Sequence, residues 1–304
     1  MSSDSIRPDP TVIGDVAAPP FARLPDSIRL FIDRTLRFRS LANGSELAPY
    51  LRFLAGLTEI QYRIQDGLPE PCLPPAGVQE RARKHGMPPI DRAGFQIDPA
   101  FEMTLSSLFA AASDLPKPPS AEDALKRVDG AAPAVRASML RAVLTDSIPA
   151  GALAEHAYIA AAAQVHFARC AARLDADRLV PVGGGACPAC GCLPVGTMVV
   201  GWQGAYGSRF CSCALCGVLW NYVRIKCVLC GSTKGIGYQE VEGSAGTVKA
   251  ETCDNCHRYL KVFYQVKDHV IEPVADDVAS LGLDVLMGQG AYRRGGFNPF
   301  LLGY

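Results

Sequence analysis

Apolar positions recur at helical spacing along the first 180 residues and at shorter, strand-like intervals after them. Phe101, Leu105, Leu108 and Ala112 share one helix face, and Asp98-Pro99 ahead of them makes an N-cap followed by a first-turn proline. Residues 45–66 repeat the pattern with Leu47, Leu51, Leu54 and Leu57, and Gly67 is placed to stop that helix. Residues 133–145 and an Ala-rich run over 149–179 give two more helices. Prolines at 69–75, 88–89 and 116–119 separate these segments. The pattern predicts an all-α bundle over residues 1–180.

Past Val180 the periodicity changes. Residues 197–200, 220–225, Val248 and 260–266 are rich in β-branched and aromatic types and read as short antiparallel strands. Residues 273–287 return to helical spacing, with Val274, Val278, Leu281 and Val285 on one face and Asp276 and Asp277 in the first turn. The tail that follows, with Tyr292, Phe297, Phe300, Leu301 and Leu302, is apolar enough to pack. The expected fold class is therefore α+β: a helical domain over 1–180, two tandem ribbons over 181–225 and 226–270, and a C-terminal helix with packed tail over 271–304.

Cysteine carries the chemistry. Ten of the twelve cysteines fall between Cys187 and Cys256, and eight of them form C-x-x-C pairs: Cys187/Cys190, Cys213/Cys216, Cys227/Cys230 and Cys253/Cys256. Moving the first two pairs forward by 40 residues lands on the last two, the signature of a tandem duplication. Two such turns supply four thiolates for one tetrahedral ion, so each unit is expected to hold one metal in a rubredoxin-like or zinc-ribbon-like site. Pairing between the units is the geometric alternative. Glycine after the second cysteine, at Gly191, Gly217 and Gly231, admits the positive φ such turns need; His257 stands there in the fourth. Four thiolates accept iron or zinc alike. Cys192 and Cys211 have Ser232 and Glu251 as counterparts in the second unit, and read either as small buried hydrophobes or as a spare thiol pair beside the first metal.

Charge narrows the choice of partner. The chain has 30 basic and 30 acidic residues, and residues 181–304 carry ten basic against nine acidic. Two divalent four-thiolate sites would make that region net negative, so neither nucleic acid nor an anionic membrane surface is an expected partner. Residues 1–20, with Asp4, Arg7, Asp9 and four prolines, lack the apolar block of a secretory signal, and no apolar run would span a bilayer. A cytoplasmic location is expected, where a reducing environment leaves thiols free for metal. A homodimer is left open. No nucleophile elbow, phosphate loop or zinc-protease helix occurs, and His156 and His166, ten residues apart on one helix, would stand about 15 Å from each other. No catalytic residue is expected.

The succession Cys187-Pro188-Ala189-Cys190-Gly191, then Cys213-Ala214-Leu215-Cys216 with Trp220 and Lys226-Cys227, then Ala250-Glu251-Thr252-Cys253-Asp254-Asn255-Cys256 with Tyr259-Leu260-Lys261, then Val274-Ala275-Asp276-Asp277 and Asn298-Pro299-Phe300, resembles the formate dehydrogenase accessory proteins of the FdhE type. The resemblance covers Cys187 to the C-terminus. It implies a non-enzymatic, cytoplasmic bacterial maturation chaperone required for the activity of respiratory, twin-arginine-exported formate dehydrogenases. Such a protein binds their catalytic subunit, and iron in its cysteine turns is implied. The alternative is a rubredoxin-like redox or thiol-exchange protein acting in cofactor maturation. A further expectation is that Asp276 and Asp277 either cap their helix or pair with a partner's twin arginines.

Overall fold

The computed structural model describes residues 18–301, which leaves Asp4, Arg7 and Asp9 at one end and Leu302 at the other outside the described range. A two-residue strand β1 (Ala22–Arg23) opens it, followed by α1 (Ser27–Leu41), α2 (Ala48–Arg63), α3 (Ala76–Lys84), α4 (Pro99–Ser113), α5 (Pro119–Asp129), α6 (Pro133–Leu144) and α7 (Leu153–Ala171). Helix starts follow local chemistry. The Asp98 carboxylate accepts from Phe101 N at 2.7 Å, and Pro99 fills the first helical position, where a missing N–H costs nothing.

Helix α7 is the hub. Ala157 to Ala163 are all buried, so the helix is covered on every side, with α4, α5 and α6 packed around it and α2 in contact. Alanine is what permits that crowding, because small side chains let several helices approach one axis. The expected helix over 149–179 is shorter in the structure. After Ala171 the chain turns away, and Arg169 and Arg173 donate to the carbonyls of Leu68, Pro69 and Pro71. Likewise the expected 45–66 helix begins at Ala48 and tightens to a 3-10 turn at Ile64–Gly67. Helix α1 interrupts its apolar face with Arg34 and Thr35, both buried; their partners are Glu272 and Thr58.

The remaining strands are β2 (Pro194–Val199), β3 (Arg209–Cys213), β4 (Leu219–Asn221), β5 (Ile236–Gln239), β6 (Val248–Cys253) and β7 (Arg258–Tyr264). Helices α8 (Pro273–Ala279) and α9 (Leu281–Gly288) and strand β8 (Arg293–Arg294) follow as the last elements among the described residues. All the strands belong to one sheet, in the order β1-β4-β3-β2-β7-β6-β5, with β8 on β7. Each unit contributes an antiparallel trio, and the two trios meet where β2 pairs parallel with β7, Thr197 opposite Val262 and Val199 opposite Tyr264. The second copy is thus the first displaced sideways along the sheet, not rotated onto it. The 40-residue shift in sequence is a translation in space.

The expected strand over 220–225 stops at Asn221, because the carbonyls beyond it turn towards the Arg209 guanidinium instead of a neighbouring strand. The expected single helix over 273–287 is two, divided at Ser280, whose carbonyl and hydroxyl oxygens accept from the buried Lys261 ammonium. Helix α8 lies against α1 and β2 and so fastens the tail to both halves.

Candidate metal centres

Three of the four cysteine pairs occupy turns closed by the same hydrogen bond. Cys187 N donates to Cys192 O, Cys213 N to Val218 O, and Cys227 N to Ser232 O, at 2.8–3.0 Å. A second bond returns from the residue after the pair: Gly191 N to Cys187 O, Gly231 N to Cys227 O and His257 N to Cys253 O. That closure needs a left-handed residue. Gly191, Gly217 and Gly231 have φ of 74°, 74° and 76°, and His257 adopts 52° in their place. Glycine also has a packing reason at Gly217, where a Cβ would come within 2.7 Å of Leu30 on α1.

The turns bring the sulfurs together within each unit. Cys187, Cys190, Cys213 and Cys216 form one group and Cys227, Cys230, Cys253 and Cys256 the other, all four sulfurs of a group lying within 4.8 Å of one another. Opposed sulfurs are 3.6 Å apart for Cys187 and Cys216, 3.5 Å for Cys190 and Cys213, 3.9 Å for Cys227 and Cys256, and 3.7 Å for Cys230 and Cys253. Four sulfurs placed ~2.3 Å from one ion define a tetrahedron with edges of about 3.8 Å, so these sets have the dimensions of a metal shell; a disulfide would need ~2.05 Å. The donor chemistry fits as well. The backbone N–H groups of Leu215 and Cys216 point at Cys213 Sγ from 3.4 and 3.3 Å, the arrangement that stabilises a coordinating thiolate.

The two sets differ in their surroundings. The first is sealed: its four cysteines are at most 1% exposed and belong to the hydrophobic core that runs into the bundle. Ile90 N donates to Ala189 O in its first turn, and Gln164 on α7 donates to Ala214 O in its second. Burial and thiol–thiol hydrogen bonding push Cys190 and Cys216 well above the ordinary thiol range. Cys213 moves the other way; burial opposes its ionisation, but hydrogen bonds from Cys187, Cys190, Cys192 and Cys216 outweigh it. The second set lies at the surface, with Cys230 exposed and Cys256 half-buried. The Ser232 N–H, first among several donors, draws Cys230 down to about 7, whereas burial raises Cys227 to about 12.

Cys192 and Cys211 are buried, yet they do not form a thiol pair within hydrogen-bonding distance among the described residues. Cys192 faces Cys213 as well as Arg92 and Asp146, while Cys211 lies mid-strand opposite Trp220 and is raised to about 12 by burial. The two histidines on α7 are core residues. His156 Nδ1 is 2.6 Å from Ala152 O, and His166 lies among Phe95, Phe101 and Phe167.

The expectation that Asp276 and Asp277 offer their charges to a partner is overturned. Both are buried and already paired, Asp276 with Arg37 at 2.6 Å and Asp277 with Arg294 at 2.7 Å and Lys261 at 3.2 Å. Asp276 does share in capping the helix: its carboxylate accepts from Glu272 N at 2.9 Å, while Glu272 accepts from Ala275 N at 2.8 Å. Lys261 and Arg294 also hold Asp284, closing a four-charge cluster that ties β7 and β8 to α8 and α9.

Three family models match the chain in succession: FdhE N-terminal over residues 19–184, FdhE central domain over 186–224 and FdhE C-terminal domain over 225–301. The chain belongs to the FdhE family. An FdhE homolog of Rhizobium meliloti is 51% identical over the whole length of both chains. One of Edwardsiella ictaluri is 32% identical over 91% of this chain and 90% of its own. The crystal structure of the FdhE protein from Pseudomonas aeruginosa superposes with a TM-score of 0.80 at 32% identity, covering 94% of this chain and 99% of that one. FdhE proteins are formate dehydrogenase accessory proteins, and this chain shares the α+β architecture of the Pseudomonas aeruginosa FdhE structure. No helix among the described residues is long and apolar enough to cross a membrane.

Proposed function

We propose that this chain is a cytoplasmic, non-catalytic maturation chaperone that binds the catalytic subunit of a respiratory, twin-arginine-exported formate dehydrogenase. The observation that carries the reading is the pair of closed four-sulfur sets within one sheet that is packed on the helical bundle. With all four ligand positions taken by cysteine, neither set leaves a coordination position for substrate. Cys187, Cys190, Cys213 and Cys216 would hold one ion and Cys227, Cys230, Cys253 and Cys256 the other. Each ion would supply folding free energy on the order of 10 kcal/mol, welding strands that have little core of their own. We assign iron, on the rubredoxin-like form of the Cys187–Gly191 turn, with zinc as the alternative. Metal analysis and an absorption spectrum after anaerobic purification separate the two: a red protein with about two irons, or a colourless one with two zincs.

The function is tested by capture. A tagged full-length chain from formate-respiring cells should retain the formate dehydrogenase catalytic subunit, and cells lacking the chain should lose formate dehydrogenase activity. Capture of other proteins without any formate dehydrogenase subunit would sink the proposal. A redox or thiol-exchange role is favoured by one feature, the solvent-facing Cys230 sulfur; it requires that the isolated protein cycle reversibly between two oxidation states.

A further inference from the structure

We infer that the loop of residues 222–226, together with Tyr206, is a docking surface for an acidic, apolar-bearing segment of a partner protein. The inference rests on the function proposed above, which makes that partner the formate dehydrogenase catalytic subunit. Val223 and Ile225 are 64% and 69% exposed and Tyr206 is 76% exposed, in a protein whose other large apolar side chains are mostly buried. Arg224 joins the two segments, its guanidinium donating to Gly207 O at 3.3 Å.

Loose loops do expose apolar groups, but this one is held. The Arg209 guanidinium, 2% exposed, faces the carbonyls of Val223, Arg224 and Lys226 from 3.5, 3.2 and 3.2 Å. Its other end is anchored on Glu251 at 2.7 Å, across the seam between the two units. Tyr222 N donates to Arg209 O, and Tyr222 OH to Cys227 O, so the backbone is fixed from both ends. A buried arginine thus stiffens a backbone whose side chains remain in water. Exposed apolar side chains on a pre-ordered backbone lose little entropy on binding, which is the property of a recognition surface.

Charge selects the occupant. Apart from the cysteines of the two sulfur sets, residues 178–239 contain no acidic side chain and five basic ones, although the whole chain is neutral. Of those five, Arg178 and Arg209 are paired with Glu80 and Glu251, whereas neither Arg224 nor Lys226 has a carboxylate within salt-bridge distance among the described residues. The loop therefore offers two cations without a carboxylate partner among the described residues, beside an apolar cluster. An acidic segment bearing aliphatic or aromatic side chains satisfies both, and a second copy of this loop would meet like charge.

The test uses the full-length, metal-loaded chain and the formate dehydrogenase catalytic subunit as probe. V223D/I225D and R224E/K226E should each retain the subunit about ten-fold or more weakly than wild type, with unchanged metal content. Leu36→Asp, at an exposed apolar position on α1, should bind like wild type. Loss in both loop variants but not in the control supports the surface. Wild-type retention by both loop variants overturns it while leaving the proposed function standing. A wild-type chain that retains no subunit removes the function and the surface together. If the double aspartate sheds metal, a photoreactive residue at Tyr206 replaces it and must crosslink to the subunit where one at Leu36 does not. A change in the sedimentation of the isolated chain in V223D/I225D, with subunit binding intact, would make the face a self-contact and overturn the proposal.

Discussion

Gln164, buried at the centre of α7, donates from Nε2 to the carbonyl of Ala214 inside the second cysteine turn at 2.8 Å. Its Oε1 in turn accepts from Gln61 at 3.1 Å and Arg34 at 3.4 Å. The bundle thus reaches directly into the sealed four-sulfur set. Replacing Gln164 by Leu strands the Ala214 carbonyl and one N–H of the Gln61 amide, whose other acceptor is Ala161 O, in a dry environment. The metal-loaded protein should lose about 1–3 kcal/mol of unfolding free energy, read by denaturant titration with metal content constant. An unchanged midpoint would show that the contact is dispensable.

Unequal shelter of the two sulfur sets predicts unequal metal loss. A chelator should remove one ion quickly, through the set that contains exposed Cys230, and the other slowly, since the first set is enclosed by the bundle and sheet. C230S should eliminate only the fast phase. C190S should cost the fold itself, because an incomplete shell would remain inside the core. Release of both ions in a single phase would contradict the difference in burial.

Acid stability should depend on His166. Burial lowers its imidazole to about 4 from an ordinary value of 6.5, so the unfolded chain takes up this proton at a higher pH than the folded one. Its neutral form contributes stability that is complete above pH 6.5 and fades as pH falls towards 4, by an amount on the order of 3 kcal/mol. His166→Phe should flatten stability in that window relative to wild type. Comparing the two at equal metal content separates this term from thiolate protonation.

The charge cluster around Lys261 predicts a large penalty for one-sided changes. Lys261, Asp277 and Asp284 are fully buried and Arg294 nearly so, two cations against two carboxylates. Lys261→Met leaves an unbalanced carboxylate in the core and should cost about 3–5 kcal/mol, visible as a large drop in melting temperature. Reversal of Asp276 and Asp277 should likewise unfold the C-terminal segment, and no surviving folded variant should show a selective binding defect.

Local patterns were legible in the sequence wherever a short stretch decides the outcome. Asp98-Pro99 marked the start of α4, and the 40-residue shift between cysteine pairs marked the repeat that the sheet displays as a translation. Features set by distant partners were not. Arg34 and Thr35 break the apolar stripe of α1, and only Glu272 and Thr58, far along the chain, make them core residues. Helices α3 and α5, short, charge-rich and each opening at the end of a proline cluster, are absent from the helices that the periodicity predicts. The break at Ser280 depends on an ammonium brought in from β7, and the acidic pair on α8 looked available because nothing nearby in sequence neutralises it. The parallel seam between β2 and β7 likewise joins residues about 65 apart that no local pattern connects.

That seam fixes a length. Because the second trio of strands is the first moved sideways, equivalent points in the two units lie three strand spacings apart, or about 14 Å. Both sulfur cages accordingly share one rim of the sheet, like rungs at a set interval, and a pair of paramagnetic ions in them would sense each other across that gap. Widening or narrowing it would require adding or deleting a whole strand, so the interval is a property of the architecture and not of any side chain.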